Sequence, residues 1–278
     1  MSRISLIKLG PGNPLYWPTF KEHVASLIIE ALLLLRQRND LVKGEPTLNR
    51  LLYYCIQDAN LKYHLLLPAY DGHNPPDPED EQKAEREDNR PDFYWTLMDH
   101  VANYDKCYRT FVLECKRLDV KSESSNWRYT EQYVIAGILR FFLEEKGYGK
   151  GCETGAMAGY VQEMEFDKIL REINSYIAAN GSSIPKLATP AEGWQYQSVN
   201  QLSHSFQRSY SPFNFFLQHF WVDMRDCQYL ASVESENTSV ESDGSQSGET
   251  EKRGKKKSKR GSAKKSQLQQ IPLPLTSP

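Results

Sequence analysis

Paired cysteines, long apolar runs and an excess of one charge are all scarce in this chain, and each scarcity excludes something. The five cysteines, Cys55, Cys107, Cys115, Cys152 and Cys227, are odd in number and scattered. No two are spaced Cys-x-x-Cys, which argues against a zinc knuckle or a dithiol redox motif. Reduced, mostly buried thiols in a cytoplasmic protein are expected instead. The most apolar stretch, Leu27 to Leu35, is too short to span a bilayer and contains Glu30, so a buried helix is expected rather than a membrane span. Met1-Ser2-Arg3-Ile4 does not open a charged-then-apolar signal sequence.

The formal net charge of -2 excludes a generally basic coat for nucleic acid. That average hides a split. From Ala231 onward nine Lys or Arg face six Asp or Glu, which leaves the first 230 residues at -5. Any basic surface is therefore local to a cleft or carried by the end of the chain. There Ser, Glu, Gly and Lys dominate, with Lys255-Lys256-Lys257-Ser258-Lys259-Arg260 as a charge block. A folded domain over residues 1–230 and a disordered, basic tail over 231–278 are expected. The tail could contact phosphates nonspecifically, or serve as a solubilising or partner-binding extension.

What is present is a mixed pattern of helices and strands. Thr19, with Glu22 three residues on, has capping-box spacing, and a helix is predicted to Arg38 with Val24, Leu27, Ile28, Ala31, Leu32 and Leu35 on its apolar side. A second helix is predicted from Pro46 to Leu65, its stripe formed by Leu48, Leu51, Leu52, Cys55, Ile56 and Ala59. Tyr70 to Arg90, rich in Pro, Asp, Glu and Asn, reads as a solvated connection. Asp92–Leu97 and Cys107–Leu118 read as strands, Thr130–Glu145 as a helix ended by glycines, and Ala156–Gln162 as a short strand. Phe166–Ala179 is an amphipathic helix, and Phe215–Met224 reads as an interior strand because it is apolar on both faces. The fold class is α/β: a mixed central sheet flanked by helices, with extra helices at the N-terminus.

One constellation carries chemistry. Pro91-Asp92 opens a strand, and Glu114-Cys115-Lys116 closes a longer one after the apolar lead-in Phe111-Val112-Leu113. Side chains two apart share a strand face, so Glu114 and Lys116 point the same way. If the two strands pair, Asp92 approaches Glu114. Carboxylates held together repel unless a cation sits between them, and hard oxygen donors suit Mg²⁺ or Mn²⁺. A neighbouring lysine can orient or deprotonate water, or stabilise charge developing on a phosphate. The bland alternative is a cross-strand charge pair at a solvated face. A bare Glu-x-Lys carries little, since Glu81-Gln82-Lys83 and Glu144-Glu145-Lys146 have the same spacing.

Through Pro91, Asp92, Glu114 and Lys116 the chain resembles the PD-(D/E)xK nuclease superfamily of restriction-endonuclease-like proteins. The resemblance implies a mixed sheet with helices on both sides. It also implies metal-dependent hydrolysis of phosphodiester bonds in DNA, less often RNA, with restriction or defence against foreign DNA as a setting. Asp92 and Glu114 would hold Mg²⁺ or Mn²⁺, joined by the Cys115 carbonyl, and Lys116 would position water or neutralise charge. Many members add an acid from the helix before the core strands; here Glu22 and Glu30 are the candidates, with Glu30 preferred because it interrupts an apolar face. Gln132-Tyr133 are adjacent rather than spaced along one face as in the exonuclease-like branch.

Further residues invite substrate roles. Tyr133 and Arg140, seven apart on the third long helix, could share a face, with Arg140 on a phosphate or in a helix salt bridge. His204 and Arg208, near His219, could contact phosphate; no strained nucleophile turn accompanies them, so Ser-His-Asp chemistry is not expected. The small residues of Gly155-Ala156-Met157-Ala158-Gly159 would admit a ligand or serve sheet packing. Nucleic acid, DNA first, is the expected partner, with a homodimer or partner protein open and no membrane. The rival readings are a nuclease fold that binds without cutting, as a subunit of a larger complex, and a helical adaptor in which the motif is accidental.

Overall fold

The computed structural model describes residues 15–71, 90–98, 108–119, 128–146, 148–149, 152–181, 183–211 and 213–230. All lie in the first of two units, Met1–Val233; the second, Glu234–Pro278, falls outside the described residues, and with it the expected tail. Cys107 and Glu81-Gln82-Lys83 fall outside them too.

Two long helices come first, α1 (Tyr16–Arg36) and α2 (Glu45–Tyr63). The expected cap at Thr19 is not used. The helix starts a turn earlier, with Leu15 at the N-cap and no side-chain cap. Pro18 is tolerated there because the first-turn N–H groups have no intrahelical partner, and the earlier start lets Trp17 and Phe20 join the core. Glu45 and Pro46 open α2 as an acid and a proline in the first turn, both favoured at that end.

Six strands form one mixed sheet: β1 (Ala69–Tyr70), β2 (Phe93–Met98), β3 (Tyr108–Leu118), β4 (Thr154–Val161), β5 (Val199–Gln207) and β6 (Asn214–Asp223), in the order β1-β2-β3-β4-β6-β5. The central strands β3, β4 and β6 run parallel, while β1, β2 and β5 are antiparallel to their neighbours. The interior position expected for the last strand is observed for β6.

Between β3 and β4 the chain forms α3 over residues 129–142. It is α-helical at Tyr129–Tyr133, π-helical at Val134–Ile138 and α-helical again at Leu139–Phe142. The helix expected over Thr130–Glu145 is thus interrupted by the π segment and ends at Phe142, with a 3-10 turn at Glu144–Lys146. Gly137 lies in the π segment, where a Cβ would stand 2.4 Å from Met157 Cε of β4. A second amphipathic helix, α4 (Phe166–Asn180), joins α3 on this side.

Helices thus cover both faces of the sheet. One core joins α1 and α2 to Phe93, Trp95, Phe111, Leu113, Cys115 and Tyr160; the other joins α3 and α4 to Val112, Leu118, Met157, Val161 and Trp221. Strand β5 is absent from the sequence reading. Its buried positions alternate correctly, Leu202, His204 and Phe206, but the histidine breaks the apolar signal. Among the described residues no helix is long and apolar enough to cross a membrane.

Candidate functional site

Strand pairing places the motif. Phe93 pairs with Leu113 in the antiparallel β2–β3 ladder, so the next residues in register, Asp92 and Glu114, stand opposite each other at the end of β2. On β3 the even-numbered residues share a face, which puts Glu114 and Lys116 on the side of Val112 and Leu118, beneath α3.

Glu114 is buried, its side chain 1% exposed, yet it is not left alone. Its Oε1 accepts from Lys116 Nζ at 2.7 Å and from Arg140 Nη1 at 2.8 Å. Its Oε2 finds no hydrogen-bond partner among the described residues. An ionised carboxylate in such a place is costly unless compensated, and two cations on one oxygen compensate the charge while leaving the other oxygen unused. Asp92 has both oxygens engaged: Oδ1 accepts from Asn49 Nδ2 at 2.8 Å and Oδ2 from the Cys115 amide at 2.7 Å. Burial first, and the charge of Glu114 second, hold the Asp92 carboxyl well above the usual carboxylate range, with Lys116 opposing them.

Lys116 is the hub. Besides Glu114 it donates to the Cys115 carbonyl at 2.8 Å and to Glu45 Oε1 at 3.0 Å. Burial pushes its ammonium down, but Glu114, Asp92 and Glu45 together outweigh burial and hold it above its ordinary value. Glu45 also accepts from the Arg117 amide at 3.1 Å, which fixes the first turn of α2 against the end of β3. Arg140 donates to the Tyr148 hydroxyl at 3.0 Å as well.

The structure therefore brings Asp92, Glu114, Lys116, the Cys115 carbonyl and Arg140 together. Four other candidates stand elsewhere. Glu30 accepts from Lys62 at 2.7 Å and from the Tyr63 hydroxyl at 3.0 Å, bridging α1 to the end of α2. Among the described residues Tyr133 shares no hydrogen-bond partner with Arg140. It belongs to a buried chain in which Trp221 Nε1 donates to its hydroxyl at 3.0 Å and that hydroxyl meets His219 Nδ1 at 2.8 Å. His219 Nε2 in turn meets His204 Nδ1 at 3.1 Å. Arg208 donates to the carbonyls of Gly149 at 3.0 Å and Cys152 at 2.6 Å, and its guanidinium lies over the Phe215 ring. It thereby anchors the turn that carries Tyr148. Gly155 and Gly159 face the molecule's own side chains: a Cβ at Gly155 would stand 2.6 Å from Phe141, and one at Gly159 2.4 Å from Leu118.

Sequence reasoning missed Glu45, Asn49 and Tyr148. Glu45 had a signal, an acid beside a proline at a helix start. Asn49 had a weaker one, an amide in the buried row with Leu48, Leu52 and Ile56.

Among the described residues no group of three or more His, Cys, Asp or Glu side chains could hold a metal ion as it stands. Magnesium, however, keeps several waters and takes only one or two protein carboxylates plus substrate phosphate. An unpartnered, buried oxygen on Glu114, one register step from the Phe93–Leu113 pair that Asp92 precedes, fits that donor set. No family model matches the chain, and neither a curated protein nor a solved structure matches it.

Proposed function

We propose that the chain is a metal-dependent nuclease that hydrolyses phosphodiester bonds, DNA first, on a restriction-endonuclease-like version of the mixed sheet. The observation that carries this reading is the convergence of Asp92, Glu114 and Lys116 at one end of the β2–β3 pair. Three ionisable side chains gathered in a buried place are expensive, and a site is the economical explanation.

Asp92 and Glu114 would hold Mg²⁺ or Mn²⁺, with the Cys115 carbonyl as a further oxygen donor. Such a cation would supply Lewis-acid polarisation of the phosphate and a water of lowered pKa. Lys116, whose three N–H groups are taken by Glu114, Glu45 and the Cys115 carbonyl, would place its positive charge beside the attacking water and the charge developing on the phosphate. Arg140 supplies a guanidinium at the same carboxylate, placed to contact a phosphate oxygen. In the reaction the water oxygen bonds to phosphorus, one P–O ester bond breaks, and the departing oxygen takes up a proton. Restriction of foreign DNA is a setting consistent with this chemistry.

A second reading is a nuclease fold that binds nucleic acid or another subunit without cutting. It is favoured by the two cations already closed on Glu114 Oε1. Incubating circular and linear duplexes with the purified chain, with and without Mg²⁺ or Mn²⁺, separates the two. Metal-dependent breakage supports the first reading, and retention of DNA without breakage in either metal supports the second. Breakage of the circle further assigns internal cutting.

A further inference from the structure

Asp92 is held by groups that the proposed chemistry does not itself use. Asn49, on the core-facing side of α2, donates to Asp92 Oδ1, and its own Oδ1 accepts from the Tyr160 hydroxyl at 2.8 Å. The Cys115 amide donates to Asp92 Oδ2. Together these bonds tie α2, β3 and β4 to the residue just before β2.

The direction of each bond follows from its neighbours. The NH₂ end of Asn49 faces Asp92, the orientation that a carboxylate ionised by a bound cation requires because it only accepts. The amide oxygen then faces Tyr160, which must donate. Both residues are enclosed, Asn49 at 4% and Tyr160 at 0% exposure, in a core otherwise built from Leu48, Leu52, Ile56, Phe93 and Leu113. An amide and a phenol in that setting cost stability unless paired, and a leucine in the helix row of Asn49 would fill the same space. Their pairing ends on Asp92, with one acceptor site on each of its oxygens taken and the others left over.

We infer that Asn49 and Tyr160 are positioning residues, which fix the plane of the Asp92 carboxylate so that its remaining acceptor sites face a divalent cation; this rests on the reading of Asp92 as a metal ligand. Partners of this kind commonly change metal affinity by about ten- to a hundred-fold.

The test uses the full chain and Mn²⁺ alone, with affinity read by paramagnetic resonance or calorimetry rather than by cleavage. Asn49→Leu and Tyr160→Phe are compared with the unaltered chain, with Asp92→Asn and with the Asn49→Leu/Asp92→Asn double variant; circular dichroism confirms folding, and Tyr160→Phe, which removes one atom, covers the case in which Asn49→Leu fails to fold. The expected result is Mn²⁺ binding weakened about ten-fold or more in each single variant. The double variant is expected to bind no worse than Asp92→Asn, because the two residues act through it. Folded Asn49→Leu and Tyr160→Phe that bind Mn²⁺ as tightly as the unaltered chain, while Asp92→Asn loses it, would overturn the positioning role alone. An Asp92→Asn variant that binds as the unaltered chain does would overturn the metal reading of Asp92, and the positioning role with it.

Discussion

Arg140 Nη1 lies 2.8 Å from Glu114 Oε1, joining the last turn of α3 to the middle of the sheet. With Lys116 on the same oxygen, this contact makes a buried carboxylate tolerable. Arg140 is expected to matter for both stability and substrate. Arg140→Met leaves Lys116 in place, so the loss should be about 1–2 kcal/mol, below the 3–5 kcal/mol typical of a wholly orphaned buried charge. If Arg140 meets a phosphate, the same variant lowers the salt slope of DNA binding by about one. Chemical denaturation and a salt titration check the two effects separately.

Arg208 offers a contrast. Its bonds to the Gly149 and Cys152 carbonyls and its stacking on Phe215 occupy the guanidinium inside the fold. Arg208→Met should cost about 2–4 kcal/mol of stability, through lost charged hydrogen bonds and unpaired carbonyls. The salt slope of nucleic-acid binding should stay unchanged. A changed slope with unchanged stability would reassign Arg208 to the substrate.

The His204–His219 pair sets a pH dependence. Burial lowers His204 from its ordinary 6.5 to about 4, and burial together with His204 lowers His219 further below its own ordinary range. The folded state therefore favours neutral rings, and the unfolded chain binds protons first as pH falls. The stabilisation is full above about pH 6.5 and is lost as pH drops toward about 4, by about 3 kcal/mol for His204 alone. Thermal unfolding across that window should show the slope, and His204→Gln should flatten its share.

Glycines test the packing of β4. A Cβ at Gly159 meets Leu118 Cδ1 at 2.4 Å and Trp221 Cδ1 at 2.8 Å, so Gly159→Ala should destabilise by about 1–3 kcal/mol. At Gly137 the nearest atom is Met157 Cε, the far end of a flexible chain. There the roughly 1 kcal/mol gain in helix propensity offsets the crowding, and Gly137→Ala should be nearly neutral. Denaturation midpoints of the two variants decide it.

Much of this architecture was legible in the sequence, for local reasons. Apolar spacing marked α1, α2, α4 and β6, and the approach of Asp92 to Glu114, which the sequence made conditional on the two strands pairing, follows from the β2–β3 ladder. What escaped depends on contacts distant in the chain. Glu45 reaches Lys116 and Asn49 reaches Asp92 only because α2 packs across the sheet end. Glu30 lies off the buried face of α1 rather than interrupting it, and its partners are Lys62 and Tyr63 rather than the carboxylates. The π turn separates Tyr133 from Arg140 in a way that α-helical spacing does not suggest. His204 hid a strand because a buried histidine mimics a surface one until its partner His219 is known.

The most direct measurement is the rate of DNA cleavage in Mg²⁺ or Mn²⁺ by the unaltered chain, set against Glu114→Gln and Lys116→Met variants shown to be folded. Cutting that requires the metal and falls at least about a hundred-fold in both variants is the expected result. Equal cutting by all three would contradict the account and place any activity at another site.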